Sequence, residues 1–98
     1  MLVLPAELTQ RETTACLRML SQGLRTQSGS AVVADASALT KFDSSALALL
    51  LECRRESLAM GKSFSVHGLP AGLRKLAVLY GVAPLLPAAS AGGAGAAE

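Results

Sequence analysis

The spacing of apolar and polar positions changes several times along the chain. Met1-Leu2-Val3-Leu4 is an apolar run stopped by Pro5, which predicts a short strand near a sheet edge. Thr9-Gln10-Arg11-Glu12 has the T-x-x-E form of a capping box. In that motif the Thr9 hydroxyl accepts from the Glu12 amide, and the Glu12 carboxylate reaches back. The pattern then predicts a helix to about Arg25. Cys16, Leu17, Leu20 and Leu24 fall on one side of it, and Arg11, Arg18 and Gln22 on the other. Gln27-Ser28-Gly29-Ser30 are turn residues that end it.

Ala31-Val32-Val33-Ala34 has no charge and two β-branched residues, which suits a strand covered on both faces. Asp35-Ala36-Ser37 closes it, and Ala38 to Phe42 read as a connection. Asp43 is a natural N-cap for the strongest helix, which runs to about Met60 before Gly61. Leu47, Leu50, Leu51, Arg54 and Leu58 follow its period, with Glu52, Arg55 and Glu56 on the wet side. Phe64-Ser65-Val66 alternates as a strand does. Gly68-Leu69-Pro70 is a loop, and Leu73, Leu76, Ala77 and Tyr80 form the stripe of a third helix stopped by Gly81. Val82 to Leu86 read as a turn packed on the domain. Disorder is expected from Pro87 onward, in an Ala/Gly-rich tail over residues 88–98.

Strand and helix therefore alternate three times within one domain, residues 1–87. That order predicts an α/β fold with a parallel sheet and right-handed crossovers.

Composition narrows the function classes. Apolar residues at 51 % against 16 % charged exclude an intrinsically disordered chain. Ala46 to Leu51 is the longest apolar run, far short of the roughly 20 residues of a membrane span. The first residues lack the basic start and long apolar centre of a signal peptide, so a cytoplasmic chain with no direct membrane insertion is expected. Nine Lys and Arg stand against seven Asp and Glu, scattered in clusters no larger than two, and aromatics are 3 %. Nucleic-acid binding is not expected from such a surface. Cys16 and Cys53 form no CxxC, and His67 is the single histidine. Neither a metal site nor a cofactor is expected, and the cysteines read as buried free thiols.

Chemistry is densest in Asp35-Ala-Ser37-Ala-Leu-Thr40-Lys41-Phe42-Asp43-Ser44-Ser45-Ala46. Ser44 and Ser45 occupy a first helical turn, where free amides and the positive end of the helix dipole favour a phosphate, while Asp43 beside them repels one. Two alternatives stay open on spacing alone: a cap and nothing more, or a switch that changes which partner can dock. Asp35 is open in the same way, between tying down a loop and chemistry. A Ser-His-Asp hydrolase is formally available through His67, but G-x-S-x-G and an oxyanion hole are missing. The G-x-x-x-x-G-K-[ST] phosphate loop is missing too.

Ala31-Val-Val-Ala-Asp35-Ala-Ser37, followed by Phe42-Asp43-Ser44-Ser45-Ala46-Leu47, resembles the signature of STAS domains. In that family a strand ends in Asp-hydrophobic-Ser, and Asp-Ser/Thr-Ser/Ala/Gly-Gly opens a helix. Leu2-Val-Leu-Pro-Ala-Glu7-Leu8-Thr9 resembles the family's L-x-G-E-L-T. Leu76-Ala-Val-Leu79-Tyr80-Gly81-Val82 with Pro84 resembles the MlaB-like branch, the small cytoplasmic subunit of the Mla phospholipid ABC transporter. The likeness covers about residues 2 to 87. It departs at Ala46 and near Ala6, where the family has glycine. It also departs at the start, where a further N-terminal strand is usual, so an exposed edge strand that pairs with another chain, or a second copy, is expected.

The resemblance implies a small, mostly parallel sheet with helices packed mainly on one face, and a protein-docking surface at the start of the second helix. In the MlaB-like branch the hydroxyl matching Ser44 matters, and the surface docks on the transporter's cytoplasmic ATPase subunit and through it on the permease. In the anti-sigma-factor antagonist branch the serine matching Ser45 is phosphorylated by a partner kinase. Neither branch is enzymatic. The expected contact residues are Lys41, Phe42, Asp43, Ser44 and Ser45, with Ser44 and Ser45 the candidates for phosphorylation. Phe42 is an apolar anchor if exposed and a core residue if not. Arg54, Arg55, Arg74 and Lys75 are candidates for a polar rim.

Overall fold

The computed structural model describes residues 2–26 and 29–88. The expectations for Met1, for Gln27 and Ser28, and for residues 89–98 lie outside them. Among the described residues nine elements follow one another. They are β1 (Leu2–Val3), β2 (Glu7–Leu8), α1 (Thr13–Thr26), β3 (Ala31–Asp35), β4 (Lys41–Phe42), α2 (Ser44–Ala59), β5 (Ser63–His67), α3 (Ala71–Leu79) and a 3-10 turn at Ala83–Leu85. Among the described residues β1, β3 and β5 form a parallel sheet in the order β1-β3-β5, with Leu2 beside Ala34 and Val32 beside Phe64. A second, two-stranded parallel pair joins β2 to β4, with Glu7 beside Lys41 and Leu8 beside Phe42. The fold is α/β, as the alternation predicted.

Strand side chains alternate across a sheet, and here only one alternate set is sealed. Leu2, Leu4, Val32, Ala34, Phe64 and Val66 are buried, while Val3 is 60 % exposed and Val33 and Ser65 are half-buried. The expectation that β3 is covered on both faces is therefore corrected: its pattern is one buried face and one open one. The connection expected at Ala38–Phe42 is corrected too. Thr40 and Lys41 donate their amides to the Ala6 carbonyl, at 2.8 and 3.0 Å, and Lys41–Phe42 is a strand.

The helix starts differ in detail from their motifs. Glu12 does reach back, its carboxylate accepting from the Thr9 amide at 2.8 Å. The Thr9 hydroxyl, however, donates to the same carboxylate at 2.7 Å instead of accepting the Glu12 amide. These bonds hold the Glu12 carboxyl below its ordinary pKa. The regular helix then begins at Thr13.

α2 packs against α1, α3 and β5 together, so its buried arc is broad. Ala46, Leu47, Leu49, Leu50, Cys53 and Ser57 are sealed. The predicted stripe was rotated from this: Leu51 and Arg54 are half-buried and Leu58 is 47 % exposed. Ser57 is tolerated inside because its hydroxyl donates to the Cys53 carbonyl at 2.8 Å. Gly61 follows with φ +74°, a left-handed turn that few other residues adopt. In α3, Leu73 and Ala77 are buried, but Tyr80 lies outside the stripe and is 56 % exposed. Pairing continues one residue past the expected end at 87. The Val66 amide donates to the Pro87 carbonyl at 2.8 Å, and Ala88 bridges to Val66.

Both cysteines are free and buried. Burial pushes the Cys16 thiol up and carries the Cys53 thiol to about 12.

Leu50 sits at the centre of this core with no exposure. Leu50→Asp should abolish cooperative unfolding in urea, because an unpaired charge in the interior costs a large part of a small domain's margin of about 5–15 kcal/mol. Leu50→Ala should keep a transition lowered by about 3 kcal/mol. A cooperative Leu50→Asp transition near the wild-type midpoint would contradict this placement of α2.

Candidate functional site

The start of α2 is built around one carboxylate. Asp43 is extended, with φ −136° and ψ −167°, and its Oδ1 accepts from the Ser45 amide at 2.9 Å and from the Ser45 hydroxyl. Its Oδ2 accepts from the Gln10 amide at 3.1 Å. One side chain thus caps α2 and fastens it to the turn that opens α1. The Ser45 bonds are the main cause that holds the Asp43 carboxyl below its ordinary value of 3.8.

The five predicted contact residues divide on this geometry. Ser44 and Lys41 are exposed, Ser45 and Asp43 half-buried. Asp43, Ser44 and Ser45 border a shallow open depression of about 330 Å³, completed by Gln10 and Ala48. Phe42 packs against the core and is half-buried. Its ring meets α3, since a Cβ on Gly72 would stand 3.2 Å from Phe42 Cζ. Phe42 is therefore neither a free anchor nor sealed core. Gln10 and Ala48 were not anticipated. Ala48 could have been found as the residue one turn beyond Ser44, whereas Gln10 arrives through a tertiary contact 33 positions away in sequence.

The hydroxyls differ in freedom. Ser45 gives its proton to Asp43, whereas Ser44 at the tip faces solvent. Both serines belong to the first turn, near the partial positive charge of the helix end, but the Ser45 amide is already taken by Asp43.

Asp35, Ser37 and His67 gather at the ends of β3 and β5. Asp35 Oδ1 accepts from the Ser37 amide at 3.0 Å and from the Ser37 hydroxyl at 2.6 Å. These bonds lower the Asp35 pKa, with His67 adding a smaller effect. The Ser37 hydroxyl donates to the Asp35 carboxylate within the turn, and His67 contributes only a weaker electrostatic effect. The Ala36 amide meets the His67 carbonyl at 2.8 Å. Gly68 has φ +71°, and an added Cβ would lie 2.8 Å from Ser37 Cβ, so this corner is a packed turn. Of the candidate rim, Arg74, Lys75 and Arg55 are exposed and Arg54 is half-buried. Arg55 pairs with Glu52 on the surface, far from the α2 start, where such a pair contributes little.

The depressed Asp43 pKa fixes a sign. The stability it lends is complete above 3.8 and is lost as pH falls through the lower folded value. Asp43→Ala should melt several degrees below wild type at neutral pH, and the gap should close as pH drops below 3.8. A gap that stays constant down to the acid limit would show that the carboxylate is not the cap.

Comparisons with known proteins bear on the fold and the family. The chain resembles the solved structure of the anti-sigma factor antagonist SpoIIAA in its unphosphorylated form. The TM-score is 0.72 and the sequence identity 21 %, with 94 % of this chain and 80 % of that chain covered. At that identity the likeness is one of fold. No curated protein matches the chain. The family model described as Mlab, STAS domain, matches residues 1–87. That match, over nearly all of the folded chain, places the protein in the STAS domain family, in its MlaB-like branch.

Proposed function

We propose that this chain is a non-enzymatic regulatory or assembly subunit of a Mla-type phospholipid ABC transporter. It binds the cytoplasmic ATPase subunit through the start of α2 and supports the activity of that subunit. The observation that carries the proposal is the outward presentation of Ser44, on a helix tip held rigid by Asp43 from both sides. A surface prepared in this way loses little conformational entropy on docking. The MlaB-like family assignment supports the choice of partner. The chain would act in the cytoplasm, peripheral to the inner membrane through the transporter. No described helix is long and apolar enough to cross a membrane, so contact with the permease would run through the ATPase.

The fold likeness to an anti-sigma factor antagonist favours a second reading, a signalling switch phosphorylated on Ser45. The Ser45 hydroxyl is engaged with Asp43. A phosphoryl group arriving there would break that bond and set two anions side by side. The exposed Ser44 hydroxyl has no such bond to break, although Asp43 precedes it in the chain.

Ser44→Glu should weaken binding to the purified ATPase at least about tenfold, through charge and size, as read by calorimetry. Its melting temperature should stay near wild type, because a carboxylate suits a first helical turn. Unchanged affinity would move the docking surface elsewhere. Phosphate transfer from a purified cognate kinase to Ser45, with no affinity for the ATPase, would establish the switch instead.

A further inference from the structure

α3 buries Leu73 and Ala77 and turns Arg74, Lys75, Val78 and Leu79 outward. Val78 is 64 % and Leu79 75 % exposed, and Tyr80 and Leu85 follow at 56 % and 37 %. Single exposed apolar residues are ordinary, but a cluster at one helix end marks a surface that something covers. Charge says what. From Ser57 to Ala97 the chain has no Asp or Glu, while Lys62, Arg74 and Lys75 fall in that stretch. The acids of α2 are engaged elsewhere, Glu52 with Arg55 and Glu56 with the Ser21 hydroxyl of α1. The α3 face is thus apolar with a basic border and no acid of its own.

This face adjoins the α2 start. The first turn of α3 lies against Phe42, one residue before Asp43. Positions 72, 75 and 79 then share one side of the helix, so the exposed strip runs about 10 Å away from that junction. We propose that the outer face of α3 is a second contact for the same ATPase, taken by an apolar segment of that partner that carries carboxylates. This rests on the function proposed above. A second copy is a poorer occupant, because a two-fold interface would set Arg74 and Lys75 against themselves. A lipid surface is poorer too, since two basic residues fall below the about four to eight of an anionic-lipid site.

The test is a calorimetric titration of the full chain with the purified ATPase at low and at raised salt. Leu79→Ser should weaken binding about tenfold or more. The double variant Arg74→Glu/Lys75→Glu should weaken it comparably and remove much of the salt dependence. Arg18→Glu on α1 should bind as wild type. All these positions are exposed, so melting temperatures should hold. If Ser44→Glu loses affinity and the α3 variants keep it, the second contact is overturned and the α2 site stands. If the α3 variants lose affinity and Ser44→Glu keeps it, the α3 contact stands and the α2 site is overturned. A wild-type chain with no affinity for the ATPase overturns both. Two further results overturn the choice of occupant. One is a dimer in sedimentation that Leu79→Ser disperses. The other is saturable binding to vesicles of phosphatidylcholine and phosphatidylglycerol that the same variant abolishes, read from Tyr80, the chain's single tyrosine in the absence of tryptophan.

Discussion

The sheet grows in one direction only. Its order, β1-β3-β5, runs with the chain and never reverses, and parallel strands joined by right-handed crossovers then place every crossover helix on the same side. The rest of the molecule is arranged around that constraint. The alternate strand residues Leu2, Val32, Ala34, Phe64 and Val66 meet the helices and are sealed, while Val3 stands open on the other face. α2, the middle helix, touches α1, α3 and β5, and its buried arc widens to suit. Among the described residues the sheet does not reverse, so they form no switch point, the crevice where open α/β sheets usually take small ligands. The chemically richest residues gather instead at a helix tip, beside a shallow and open depression.

That tip owes its rigidity to a shared acceptor. Asp43 serves the first turn of its own helix with one oxygen and the turn before α1 with the other. The two helix starts are therefore fixed relative to each other, although 33 positions separate the bonded residues. The same carboxylate separates two adjacent serines. One is tied into the cap and the other is left to solvent, so hydroxyls that look equivalent in sequence differ in what they can offer a partner.

The elements that local chemistry determines were legible from the chain. The D-S-S cap, the Gly61 stop and the alternation of three strands with three helices all stand in the structure. The residues that depend on distant neighbours were not. Ala46 to Leu51 is apolar at every position, so the period alone offered little contrast from which to orient the helix, and Leu49 and Ser57 were missed. Glu7–Leu8 and Lys41–Phe42 are too short to show alternation; each is a strand because the other is beside it. Tyr80 fitted the helical stripe but falls just after α3, where the backbone turns it outward. At the site, Asp43, Ser44 and Ser45 could be named from their order, while Gln10 needed the fold.

The two sealed thiols have a practical consequence. Maleimides and spin labels attack through the thiolate, and neither Cys16 nor Cys53 is accessible or readily ionised near neutral pH. A single cysteine introduced on the surface would therefore react alone against the native background. Distances within any assembly that includes this chain can be measured spectroscopically without first removing its own sulfur atoms.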